Sequence, residues 1–217
     1  MQKTSGSSFI KVYALISALL GWFAVIAQFV LLLGISKGSV ADTVIRFFSF
    51  FTILTNILVA FTFSFVFFEG GDKWSRFFSK ASTLTAITVY IIVVGAVYNI
   101  ILRMIWHPVG LQKLVDELLH SVIPLLTLLF WIFFVKKGGL VWNNAFSWLL
   151  YPMVYSIFIA IRGAFTGYYP YPFINVPEIG YSRALLNGGF VVLVFIGLSL
   201  FLIAVGKFIS RRSSTAQ

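Results

Sequence analysis

Two short runs hold the side chains able to do chemistry in an otherwise apolar chain. The first reads Arg46-Phe-Phe-Ser49-Phe-Phe-Thr52-Ile-Leu-Thr55-Asn56. Arg46, Ser49, Thr52 and Asn56 follow at intervals of three, three and four residues. On a helix that spacing sets them on one stripe, with Thr55 beside it. The second run reads Asp116-Glu117-Leu-Leu-His120-Ser-Val-Ile-Pro124. Pro124 has no N–H to offer the His120 carbonyl four residues earlier. Asp116 and Glu117 lie four and three residues before the imidazole, within reach of its second ring nitrogen. A hydroxyl, a histidine and a carboxylate that orients it are the parts of nucleophilic acyl transfer. Thr52 is then a candidate nucleophile, His120 a candidate base, and Asp116 or Glu117 a candidate orienting group. Asn56 or Ser49 would donate to the developing oxyanion. Arg103, after Tyr98 and Asn99, and Arg162, before Gly163, are candidate binders of an anionic group. The plainer reading is that Ser, Thr and Asn join helices in a membrane and that the arginines snorkel to its surface.

What must position these groups is a membrane domain. Hydrophobic residues make up 60% of the 217-residue chain, charged residues 10%, and Phe occurs 25 times. A soluble domain needs about a quarter of its residues charged. A bilayer core of about 30 Å takes about 20 apolar residues per helix. Six stretches qualify: residues 9–33, 44–68, 83–103, 118–135, 146–162 and 184–206. The expected fold class is therefore all-α, a polytopic membrane protein of six helices in one domain spanning residues 1–217, with no soluble insert. The fourth and fifth runs are short, so their helices should extend into polar neighbours. The first run is too long for a signal-peptide core of about 7–15 residues and reads as a span. Without cysteine there are no disulfides, thiolate metal sites or Cys nucleophiles, and two histidines are too few for a His-rich site. The expected chemistry needs no metal and no cofactor.

The connections are punctuated by Gly70-Gly71-Asp72-Lys73, His107-Pro108-Val109-Gly110 and Lys136-Lys137-Gly138-Gly139. The segment 72–82, with Trp74, Phe77 and Phe78 among basic residues, reads as a short interfacial helix. The link after the fifth run contains Tyr168-Tyr169-Pro170-Tyr171-Pro172-Phe173, amphipathic rings suited to the headgroup level. Six spans place both termini on one side. That side carries ten basic residues (Lys3, Lys11, Lys73, Arg76, Lys80, Lys136, Lys137, Lys207, Arg211 and Arg212) against six on the other. The positive-inside rule makes it cytoplasmic, in the plasma membrane. Topology and anionic lipid account for the net charge of +10, so nucleic acid is not an expected partner. The second and fourth spans then both start at the outer face. Counted from their starts, Thr52 lies about 12 Å deep and His120 about 3–5 Å, a difference of about 8 Å.

Three segments resemble a known family. They are Phe-Phe-Ser49-Phe-Phe-Thr52-Ile-Leu-Thr55-Asn56-Ile-Leu-Val, Leu-Leu-His120-Ser-Val-Ile-Pro124, and Arg162-Gly163-Ala164 followed by Gly167-Tyr-Tyr-Pro-Tyr-Pro-Phe173. They are similar to motifs of a prokaryotic six-helix membrane family. That family is related to the eukaryotic androgen-induced protein and androgen-dependent TFPI-regulating protein, intramembrane threonine hydrolases of fatty acid esters of hydroxy fatty acids. The resemblance implies a threonine nucleophile at Thr52, a histidine at His120 and a fatty-acyl ester substrate. In the eukaryotic motif two residues separate Thr from Asn. Three separate Thr52 from Asn56 here, which leaves Thr55 as a competing nucleophile.

The expectation is thus an intramembrane lipid ester hydrolase with membrane lipids as partners. The rival readings are a non-enzymatic carrier of lipids or small molecules, and a structural membrane protein whose polar residues only join helices. Paired Gly/Pro-interrupted helices, which a transporter built on inverted repeats would carry, are not evident.

Overall fold

In lipid a backbone N–H or C=O has no water to bond, so apolar segments satisfy their own backbone as helices. The computed structural model describes residues 4–215, with side chains placed for residues 8–212; Lys3, counted above among the cytoplasmic charges, lies outside them. Among the described residues the chain is all-helical, and six helices are long and apolar enough to cross a membrane. It divides into two compact units, residues 1–136 and 137–217.

The first unit holds α1 (Thr4–Ile35), α2 (Val40–Phe47), α3 (Phe51–Phe68), α4 (Lys73–Phe78), α5 (Ala81–Ile100), α6 (Gly110–Glu117) and α7 (Ile123–Phe134). A 3-10 turn, Leu102–Met104, follows α5. A π-helical turn, Leu118–Val122, joins α6 to α7, so that Gly110–Phe134 runs as one span. That span starts eight residues before the expected 118, drawing in polar neighbours.

α1 packs along α3. Gly21 lies so close to Ala60 that a Cβ there would stand 3.0 Å from the alanine Cβ, the approach that small residues allow between membrane helices. Lys11, near the start of α1, pairs with Glu69 at the end of α3 at 2.9 Å. Tyr13, Phe63, Phe130 and Phe134 gather rings from α1, α3 and α7, with centroids 5.2–6.3 Å apart. Two polar pins cross the same core: Tyr13 Oη donates to the Leu126 carbonyl (2.7 Å), and Trp131 Nε1 donates to Thr85 Oγ1 (2.8 Å). Many other hydroxyls simply bond back to their own helix, as Thr62, Thr88 and Thr127 do. α4 occupies the expected interfacial segment. Its cap is Asp72, whose carboxylate accepts from the Ser75 hydroxyl and from the Ser75 and Trp74 amides. Those bonds, the Ser75 hydroxyl first, hold the Asp72 carboxyl below its usual value.

The second expected span, 44–68, is not one helix. It breaks at residues 48–50 into α2 and α3, where the buried Ser49 hydroxyl bonds the Ile45 carbonyl at 2.6 Å. The Ser49 amide turns instead to the Arg46 carbonyl, a tighter closure, and Phe50 becomes extended.

The second unit holds α8 (Asn144–Trp148), α9 (Leu150–Thr166), a 3-10 turn Pro172–Ile174 and α10 (Val176–Thr215), which kinks where Gly180 has φ 77°. Lys137, expected as an anchoring charge, is buried; its stem comes within 3.2 Å of the place a Cβ on Gly206 would take. Burial pushes its amine below the ordinary lysine value.

One glycine decides a close approach. A Cβ on Gly95 of α5 would stand 2.9 Å from the His120 carbonyl and 3.3 Å from the Pro124 ring. Gly95→Ala is therefore expected to cost about 1–3 kcal/mol of stability through overpacking. Thermal unfolding in detergent measures it, with Gly34→Ala, which meets nothing within 4 Å, as the neutral control.

Candidate functional site: the π turn beneath His120

The site is built on two carbonyls that the fourth span cannot satisfy by itself. In the π turn the Ile123 amide bonds the Leu118 carbonyl, five residues back, and so leaves the Leu119 carbonyl without its helical donor. Pro124 has no amide for the His120 carbonyl. Two asparagines from neighbouring helices replace these donors. Asn56 Nδ2 on α3 donates to the Leu119 carbonyl (3.2 Å), and Asn99 Nδ2 on α5 donates to the His120 carbonyl (3.1 Å). Each amide also bonds a carbonyl four residues back on its own helix, Thr52 for Asn56 (2.9 Å) and Gly95 for Asn99 (2.8 Å).

The π turn re-aims the histidine. His120 is 9% exposed, and its Nδ1 lies 2.9 Å from the Asp116 main-chain carbonyl. A carbonyl only accepts, so Nδ1 carries the proton and the neutral ring holds its lone pair on Nε2. The Tyr98 ring stacks on the imidazole at 3.9 Å with planes 12° apart, which sets its orientation from α5. The expected orienter was a carboxylate; the structure gives that task to the Asp116 backbone. The Asp116 carboxylate stands 4.0 Å from Nδ1 and is held by Trp106 Nε1 (2.6 Å) and Gln112 Nε2 (3.3 Å). Gln112 reaches on to Gln28 of α1 at 2.8 Å. The Glu117 carboxylate binds Arg103 Nη2 through both oxygens (2.6 and 2.7 Å) and accepts from Ser121 Oγ (2.9 Å). Arg103 also lies over the Tyr98 ring at 5.5 Å. It therefore serves a partner inside the protein, where the sequence had offered it to an external anion.

The break before α3 moves Thr52. It is the second residue of α3, 8% exposed, in the first turn of that helix and one turn from Asn56. His120 lies ten residues beyond the start of its span at Gly110. The expected order of depths is thereby reversed. Asn56 meets Leu119, the residue before His120, while the His120 ring leans back one turn toward Asp116. Thr55 and Asn56 are fully buried. Both N–H groups of Asn56 are committed to carbonyls, and the Ser49 hydroxyl donates to Ile45, so neither takes the expected place of oxyanion donor. Asn56 Oδ1 is buried without a hydrogen-bond partner.

Arg162 belongs to the second unit. Its guanidinium lies 4.3 Å from the Tyr168 ring centroid, and its Nη1 is buried without a hydrogen-bond partner. Tyr169 packs directly on Gly163, where no side chain could fit. Asn187 Nδ2 ties down the Phe173 carbonyl at 2.8 Å, and Tyr171 stacks on Phe173. Among the described residues no group of three His, Cys, Asp or Glu stands close enough to share a metal ion.

Sequence reasoning missed Tyr98, Asn99, Gly95, Trp106 and Gln112 as parts of the site. A signal existed for α5: Gly95, Asn99 and Arg103 recur every four residues and so share one helical face. The fold and this site define a class, an all-helical multi-pass membrane protein with a buried histidine on a π turn. No protein family, no curated protein and no solved structure matches the chain.

The two caps differ in burial, Asn56 being fully buried and Asn99 exposed. Asn56→Leu leaves a buried carbonyl unmet and is expected to cost about 1–3 kcal/mol. Asn99→Leu should cost less, because lipid headgroups or water can reach its carbonyl; paired thermal-unfolding curves in detergent compare them.

Proposed function

We propose that this protein is an intramembrane lipid ester hydrolase of the plasma membrane, both termini cytoplasmic, with Thr52 as nucleophile and His120 as base. One observation carries the reading: the His120 imidazole is held, protonated on Nδ1 and stacked on Tyr98, above a π turn capped from the helix that bears Thr52. A buried histidine with a fixed tautomer is costly to build for packing alone, and π turns inside helices are often found at functional sites.

In this mechanism Thr52 Oγ1 attacks the ester carbonyl and its proton passes to His120 Nε2. Negative charge then develops on the carbonyl oxygen. With Asn56 and Ser49 committed elsewhere, the stabilising field comes from the start of α3, whose dipole is positive where Thr52 stands. The tetrahedral adduct collapses and the alcohol leaves with the proton from His120. A water then attacks the acyl-threonine, His120 taking its proton and returning it to Thr52 Oγ1 as the acid departs. Fatty acid esters of hydroxy fatty acids are the substrate class the motif resemblance points to.

A fluorophosphonate probe tests the nucleophile. It should label the purified protein at Thr52, and Thr52→Ala or His120→Ala should lower labelling by at least 100-fold, while Thr55→Ala retains it. Labelling indifferent to both Thr52→Ala and His120→Ala rules the mechanism out. Orientation is checked separately, since the chain has no cysteine of its own. In intact cells an impermeant maleimide should modify a single cysteine at position 37 and spare one at position 73.

A further inference from the structure

A second feature of the first unit is independent of His120. Between the end of α1 and the face of α2 lies a cavity of about 270 Å³, lined by Leu32, Ile35, Ser36, Lys37, Thr43 and Arg46. Its wall has two parts of opposite character. Leu32 and Ile35 belong to the last turns of α1 and are apolar, whereas Lys37 and Arg46 are cationic. No carboxylate is among the lining residues, and the nearby Asp42 is occupied, accepting from the Ser39 hydroxyl at 2.6 Å.

Two hydroxyls lie at the polar end. Thr43 Oγ1, almost fully buried, stands 2.6 Å from Ser36 Oγ and 3.0 Å from the Ser39 carbonyl, so one hydroxyl pair and one carbonyl hold the end of α1 against α2. Lys37, just past α1, and Arg46, in the last turn of α2, each sit where a helix C-terminus favours a cation. That explains the residue types but not why both border one cavity that also opens on an apolar helix end.

We propose that this cavity binds the anionic head group of an amphiphile, a carboxylate or a phosphate monoester. Lys37 and Arg46 hold the charge, and the alkyl chain leaves along Leu32 and Ile35. Arg46 and Thr52 stand at opposite ends of the short break that separates α2 from α3. The proposal takes its biological sense from the hydrolase reading, but binding itself does not require hydrolysis.

The test uses the full chain in neutral phosphatidylcholine nanodiscs and isothermal titration with octanoate, octyl phosphate, inorganic phosphate and octanol. Saturable binding of octanoate or octyl phosphate is expected, with octanol at least 10-fold weaker, and the preferred anion identifies the head group. Inorganic phosphate reports the contribution of charge alone. The double variant K37Q/R46Q should weaken the anion at least 10-fold. L32W, which fills the apolar end and keeps both charges, should weaken the octyl ligands while sparing inorganic phosphate. Thr52→Ala should bind as the parent does, which separates this proposal from the nucleophile assignment. No saturable binding, equal binding of octanol, or anion binding unchanged in both K37Q/R46Q and L32W overturns it.

Discussion

A membrane helix cannot leave a carbonyl unbonded without cost, and the fourth span leaves two. The π turn frees the Leu119 carbonyl, and Pro124 frees that of His120. Each would cost about 1–3 kcal/mol in an apolar setting. The remedy comes from tertiary structure: one amide from α3 and one from α5, each bridging its own helix to the turn. Three helices are thus registered at one level by two hydrogen bonds between helices, each asparagine being anchored by a second bond to its own helix. The close approach of α5 at Gly95 is the steric counterpart of that registration.

The histidine inherits its geometry from this joint. The extra residue in the π turn changes the direction in which His120 projects. The Asp116 carbonyl then fixes its tautomer, and Tyr98, one residue before the cap Asn99, covers its face. Around it the carboxylates are held by other side chains: Glu117 is paired with the Arg103 cation, and Asp116 accepts from the neutral donors Trp106 and Gln112. The carboxylates expected to act directly on the imidazole instead shape the walls around it. What bonds the ring nitrogen is main chain, the Asp116 carbonyl.

The cationic groove at the end of α1 follows from the other irregularity of the unit, the break at Ser49. Had residues 44–68 formed one straight helix, Arg46 would have stood nearly two turns before Thr52 along the same helix. At the break the Ser49 hydroxyl bonds the Ile45 carbonyl while the Ser49 amide turns to that of Arg46. Arg46 then faces a cavity shared with Lys37, and Thr52 moves into a first helical turn.

Residue types and spacing were enough to establish six spans, a short helix within residues 72–82 and the unmet carbonyl at His120. Each follows from a local rule: apolar length, aromatic rings among basic residues, a proline with no N–H. They were also enough to single out Thr52, Asn56 and His120, because polar residues are rare in so apolar a chain. The sequence could not determine which donors meet the orphaned carbonyls, since Asn56 and Asn99 lie far away along the chain and reach those of Leu119 and His120 only once helices pack. Nor could it show that an aspartate would act through its backbone, that Arg103 would be claimed by Glu117, or that the second span would divide at Ser49. Those outcomes depend on competition between partners brought together in space. Hydrogen bonding in a membrane interior is decided by which donor arrives, and packing alone settles that.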